Sequence, residues 1–304
     1  FAQNFAYSAC LSNTIRFFPD KKGLASGLIT GGMGGAAIIA APIANALIER
    51  YGVSQAFWRM GLAYALVGFF FSLFIRSAPK QIVPQTAATS EKAPTKAITA
   101  NKNWKEMLAT PAFYLLILMF AMGAFSGLMI ASNASLIGQS MFGLSASAAA
   151  AYVSLYSLSN TSGRVFWGAV SDRIGQIRAV IIIYSAIIFA FVLLVSVNQV
   201  WAFAVGIVTL GLCFGGVMGV FPGLVMDNFG PANQGVNYGI VFIGFSSAAF
   251  VAPKVTASLA AANNGDFTKA FYVAIAVVLI GLGLSLVYAK RKADAVEAAV
   301  ETIQ

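Results

Sequence analysis

The chain has 304 residues, 59% of them apolar and 10% charged, with a mean hydropathy of +0.81. A soluble particle of this size needs about a quarter of its residues charged to coat its surface, so this composition excludes one and makes lipid the solvent. Two cysteines (Cys10 and Cys213) and no histidine exclude a disulfide framework, a thiol–imidazole metal cluster and Ser–His or Cys–His catalysis, while the net charge of +9 suggests a partner only once its location is known.

Residues 1–15 are apolar but too short to cross a bilayer, and they lack the basic start and cleavage site of a signal peptide. They read as the end of a span. Eight further stretches, 23–48, 56–75, 111–136, 146–170, 179–197, 200–224, 236–260 and 270–289, each reach the roughly 20 residues that cross the hydrocarbon core. Between the second and third lies SAPKQIVPQTAATSEKAPTKAITANKNWKEM, rich in Lys, Ala, Thr and Pro, which reads as a flexible linker. Thr110-Pro111 then opens the next helix, Thr as N-cap and Pro in the first turn. The expected organisation is an all-α membrane protein of two helical bundles. Residues 1–76 are the remainder of the N-terminal bundle, 77–108 the linker, 109–290 a six-helix C-terminal bundle and 291–304 a tail.

Charge orients the bundle. If residues 1–15 run toward the cytoplasm, the inside segments hold Arg16, Lys21, Lys22, Arg76, Lys80, Lys92, Lys96, Lys102, Lys105, Arg173, Arg178, Lys290, Arg291 and Lys292. The outside loops hold Arg50, Arg59 and Lys269. This is the positive-inside pattern, expected of a multi-pass protein of the inner (plasma) membrane with a cytoplasmic C-terminus. It accounts for the net charge without nucleic acid.

An internal repeat follows the same plan. Pro19-x-x-x-Gly23-x-x-x-Gly27 recurs as Pro231-x-x-x-Gly235-x-x-x-Gly239, each copy between two spans at the cytoplasmic side. Two like-oriented halves of six spans are expected, with three spans and part of a fourth preceding residue 1.

Two basic residues lie inside spans, Arg164 and Lys254, and neither has an acidic residue within its span. An intramembrane cation is costly and marks a functional site by default. Both side chains lean toward the midplane, leaving about 6 Å between the charges, a gap that a small mono- or dicarboxylate fills. Arg suits a carboxylate because its planar fork binds both oxygens. Arg164 also has Asp172 as an alternative partner, and Lys254 can reach the outer headgroups instead. Ser157, Asn160 and Thr161 share a helical face with Arg164, as Ser247 and Ser258 do with Lys254. Such faces either line a pathway or bond neighbouring helices. Glycines repeat every fourth residue at Gly23, Gly27, Gly31 and Gly35 and at Gly211, Gly215, Gly219 and Gly223, a spacing that lets helices approach closely.

FFPDKKGLASG at 17–27, KEMLATPAFYLL at 105–116, GRVFWGAVSDRIG at 163–175 and NYG at 237–239 together resemble the oxalate/formate antiporter family of the major facilitator superfamily. The resemblance covers essentially the whole chain, from the fourth span to the twelfth. It implies alternating access around a midplane carboxylate site. It puts Arg164 where the oxalate transporter's substrate-binding arginine lies, and Gly168, Asp172 and Arg173 in the cytoplasmic gate loop. The family's second cation, a lysine, lies a couple of turns after NYG. Here that neighbourhood is Gly244-Phe245-Ser246, and Lys254 comes later.

The expected function is secondary transport of small carboxylates by a monomer with no cofactor. Arg164 pairs the anion, and Lys254, Asn160, Ser157 and Ser247 are the other expected contacts. No carboxylate or histidine lies inside these spans to carry a proton, which favours anion exchange over proton-coupled monocarboxylate symport. A sensor that keeps the fold without transport is the third reading.

Overall fold

The computed structural model describes residues 2–78 and 101–301, and every regular element among them is helical. Helix α1 (Ala2–Phe17) leads through a single 3₁₀ turn at Pro19–Lys21 into α2 (Lys22–Ser72). The short α3 (Trp104–Leu108) precedes α4 (Pro111–Phe142), α5 (Ala146–Ile174), α6 (Gln176–Ser196), α7 (Val200–Phe229), α8 (Gln234–Ala261) and α9 (Thr268–Glu301).

The two spans expected at 23–48 and 56–75 are joined without a loop. The helix breaks only at Gly52, whose φ of 75° lies in the left-handed region that a side chain disfavours. Here the chain turns back. Asn13, near the end of α1, donates to the Arg76 carbonyl and accepts from the Ala78 N–H, both at 2.8 Å. The second arm of α2 therefore returns to the end from which the first arm left. Arg59 lies over the Tyr51 ring at 3.4 Å, pinning the corner by a cation–π contact.

Five described helices are long and apolar enough to cross a membrane by length and composition, α4, α6, α7, α8 and residues Thr268–Asp294 of α9. Helix α5, at 29 residues, is long enough, but its serines, Asn160, Thr161 and Arg164 keep it out of that set. A helix of this polarity is stable in lipid only if neighbours cover its polar face. The neighbours here are α2 on one flank and α7 on the other.

Both glycine ladders meet α5. On the α2 side, a Cβ added at Gly27 would lie 3.0 Å from the Arg164 carbonyl carbon, and one at Gly31 would lie 3.2 Å from Val165 Cγ2. Gly35 faces the Thr161 methyl at 3.3 Å, and Gly23 and Gly168 meet backbone to backbone. On the α7 side, Gly211 meets Tyr156 and Ser159, Gly215 meets Asn160, and Gly219 meets the Arg164 carbonyl. With no hydrophobic drive between helices in lipid, such close approach supplies the van der Waals contact that holds them.

The core of the C-terminal bundle is built on α7, buried almost continuously from Gly206 to Met226. Phe221 stacks on Phe120 of α4 with centroids 4.6 Å apart, and Phe203 stacks on Phe142 at 4.8 Å. Two tyrosines bury their rings and satisfy their hydroxyls on α4 carbonyls. Tyr184 donates to Met119 and Tyr156 to Gly127.

Most of the expected linker (79–100) lies outside the described residues, but its end is structured. Asn103 accepts from the N–H groups of Lys105 and Glu106 while Glu106 accepts from the Asn103 N–H, a capping box that starts α3. Thr110 is the N-cap of α4, but its hydroxyl donates backward to the Met107 carbonyl at 2.7 Å instead of capping that helix.

Candidate functional site

Arg164 is 8% exposed, and its guanidinium is held by neutral oxygens. Nε donates to Asn160 Oδ1 at 3.1 Å, one turn back on α5, and Nη1 donates to the Thr30 carbonyl of α2 at 2.5 Å. A glycine makes the second contact feasible. A Cβ at Gly34 would stand 2.9 Å from Arg164 Cζ, so its absence opens the groove along α2 that the guanidinium enters. Among the described residues, no carboxylate pairs with this cation.

Three phenols interact electrostatically with Arg164: Tyr7 of α1, Tyr156 of α5 and Tyr238 of α8. The Tyr156 hydroxyl is committed to Gly127, whereas the buried Tyr7 and Tyr238 hydroxyls have only each other within reach among the described residues. The arrangement is a buried cation flanked by neutral donors, which suits an anion.

The residues expected at the site are not all placed together. Asn160 touches Arg164. Ser157 and Ser247 are exposed and turn their hydroxyls onto their own helices, to Val153 at 3.0 Å and Ile243 at 2.9 Å. Lys254 is exposed, with its ammonium 3.6 Å from the Phe250 ring centroid. Tyr7, Thr30, Gly34 and Tyr238 were not singled out from sequence. Tyr238 stands within the NYG triplet, which carried only a resemblance. Thr30 contributes a backbone carbonyl, which no residue type advertises.

Asp172 partners the first turn of α2, not Arg164. Its two carboxylate oxygens accept from the N–H groups of Gly23 and Leu24, both at 2.8 Å. A carboxylate suits unpaired N–H groups at the positive end of a helix. The adjacent Arg173 is exposed, and Gly168 packs against Gly23. Nearby, Lys22 forms an ion pair with Asp227 at the end of α7. Arg16 donates to the Pro231 and Ala232 carbonyls at 3.1 and 2.7 Å, so the first proline turn of the repeat is tied to the second. The end of the linker joins this cluster. The Lys102 carbonyl accepts from Asn233 Nδ2 at 3.1 Å and Asn237 Nδ2 at 3.0 Å. One end of the molecule is thus closed by polar ties between α1–α2 and the C-terminal bundle.

Paired turns, glycine-lined helix crossings and a buried arginine between two bundles agree with comparisons to known proteins. The pattern of the Major Facilitator Superfamily matches residues 1–253. The chain is 33% identical over 246 residues to the uncharacterized MFS-type transporter YhjX of Escherichia coli (strain K12), covering 80% of this chain and 59% of that protein. It is 28% identical over 281 residues to the oxalate:formate antiporter of Oxalobacter formigenes, covering 92% of this chain and 65% of that protein. The chain therefore spans about three fifths of the length of these relatives. With a match over most of its length and an all-helical fold of membrane-crossing helices, the chain belongs to the Major Facilitator Superfamily.

Proposed function

We propose that this protein exchanges small carboxylates across a membrane by alternating access, with Arg164 binding the anion. One observation carries the reading: among the described residues, a buried guanidinium between α2 and α5 is hydrogen-bonded only by an amide oxygen and a backbone carbonyl. A carboxylate binds a guanidinium better than either, because the charge-assisted, two-pronged pair is the stronger hydrogen bond. Similarity to the oxalate:formate antiporter supports a carboxylate as the anion. The end closed by Asp172, Lys22 and Arg16 is the cytoplasmic one on this reading, supported by the basic residues gathered there. Opening requires those ties to part while the opposite end closes, a rocking of the halves that substrate binding biases.

The test uses the intact protein in liposomes preloaded with labelled oxalate and chased with external formate, lactate, pyruvate, succinate or chloride. Rapid loss of label driven by a carboxylate, without an imposed pH gradient and abolished in Arg164→Ala, is the expected result. Unchanged exchange in Arg164→Ala overturns the site. Movement of label only under an imposed pH gradient overturns exchange in favour of proton coupling.

A further inference from the structure

Two buried hydroxyls near Arg164 have, among the described residues, only each other to bond. The Oη atoms of Tyr7 and Tyr238 are shielded from solvent, and among the described residues neither is engaged by any group other than its fellow phenol. Tyr238 is 2% exposed, and the two phenols interact with each other and with Arg164. Neither hydroxyl can simply turn to water. The Tyr238 ring lies 5.7 Å edge-on from Phe242 and 6.2 Å from Phe120, which confines it. Its neighbour Asn237, fully buried, fixes the first turn of α8 by donating to the Lys102 carbonyl. Tyr156, which also interacts with Arg164, shows the ordinary solution, a hydroxyl donating to a carbonyl at 2.7 Å. Buried hydroxyls in native proteins nearly always find such an acceptor. Two phenols from different halves of the chain that can bond only to one another use one of their two O–H donors between them, and the donor left over beside Arg164 points to an acceptor that arrives with the ligand.

A carboxylate seated on the Arg164 fork uses the cation and leaves the phenols to the rest of the ligand. We infer that Tyr7 and Tyr238 read the end of the anion remote from Arg164. The site then prefers small carboxylates that carry a further oxygen acceptor beside the carboxylate (another carboxylate, a keto oxygen or a hydroxyl) over those that carry only hydrogen or alkyl groups there. This rests on the reading of Arg164 as the anion contact. The size of the preference follows from its origin. An apolar pocket discriminates weakly, whereas a site with buried donors rejects an analogue that leaves them unpaired.

The experiment is titration calorimetry on the purified intact protein with matched pairs: acetate against glycolate, and propionate against lactate and pyruvate. The oxygen-bearing member of each pair is expected to bind at least about tenfold more tightly to the wild type. In Tyr238→Phe and in Tyr7→Phe, which remove one oxygen and keep the ring, the ratio falls to within about threefold, mainly through weaker binding of the oxygen-bearing anion. Equal affinities within each pair for the wild type, or an unchanged ratio in both phenylalanine variants, overturns the inference. Arg164→Ala separates the two claims. Loss of binding of every anion keeps the carboxylate reading whatever the ratios show. Binding untouched by Arg164→Ala removes that reading and this inference with it. Should one phenylalanine variant fail to fold, the other decides, because the two tyrosines sit on different helices.

Discussion

Replacing Gly27 with alanine tests whether contact between α2 and α5 sets the closed state. The new Cβ would lie 3.0 Å from the Arg164 carbonyl carbon and 3.1 Å from Val165 Cα, and closer still to the Arg164 carbonyl oxygen. Carbon–carbon contacts settle at about 3.5–4.0 Å, so the helices must part by about 1 Å, and no rotamer can avoid it because the opposing atoms are backbone. The tie from Arg164 Nη1 to the Thr30 carbonyl, 2.5 Å long, then stretches to the limit of a hydrogen bond. Hydrogen bonds to charged groups contribute about 1.5–3 kcal/mol, which is a ten- to hundredfold loss of the closed population. The assay places a reporter cysteine at Ser26, which is fully buried, in a background lacking Cys10 and Cys213, and follows labelling by a membrane-impermeant maleimide from the face assigned to the cytoplasm. Labelling is expected to accelerate about tenfold or more in Gly27→Ala. Gly31→Ala is the internal control. Its Cβ would press on the Val165 side chain at 3.2 Å, which can give way, and meet the Thr161 carbonyl oxygen at an ordinary 3.6 Å, so the change should stay below about threefold. Equal labelling of the two variants, or no acceleration in Gly27→Ala, refutes the reasoning.

Asp172→Asn keeps one acceptor and removes the charge from the first turn of α2, so labelling at the same reporter should rise about three- to tenfold, and less in high salt. Asp266 accepts from the hydroxyl and N–H of Thr268, and these bonds hold its carboxyl below the usual range. Its contribution to stability is therefore complete above the unfolded carboxylate pKa of about 4 and is lost as pH falls through the lower folded value. Melting curves of wild type and Asp266→Asn should differ by a constant amount above about pH 5 and converge in acid, and a gap that widens in acid contradicts this. Asn237→Ala removes the 3.0 Å bond to the Lys102 carbonyl and leaves the one from Asn233. Loss of about 1 kcal/mol should speed tryptic cleavage at Lys102 and Lys105 about fivefold, while unchanged cleavage means that bond does not hold the segment.

Hydropathy and periodicity made the helices legible because each span carries its signal locally, in about 20 consecutive residues. The paired proline turns and glycine ladders were legible for the same reason. Arg164 stood out because a cation in an apolar run is costly wherever it folds. What the ladders touch was not legible, since that both meet α5 depends on how helices far apart in sequence pack. The corner at Gly52 was hidden because a single left-handed residue replaces the loop that charged residues around it suggested. Tyr7 and Tyr238 escaped notice because a tyrosine inside a span counts toward its apolar character until the hydroxyl is placed. Asp172 was recognised as a residue of interest, but which partner it takes depends on the position of α2.

On the proposed alternating-access reading, the glycine-lined crossing of α2 and α5 also determines how force is borne as the halves part. Glycine has no rotamers, so bringing these surfaces together freezes little side-chain freedom, and parting them releases little. Dispersion between the backbones falls off within an ångström or so of separation, which makes the crossing firm at contact and almost without resistance beyond it. Such a joint behaves as a bearing, and the energy that arrests it is concentrated in its pins: the carbonyl grip of Arg164 and the carboxylate of Asp172 on the end of α2. The pace of opening is then governed by a handful of polar atoms, while the apolar residues along the same helices set where the joint lies.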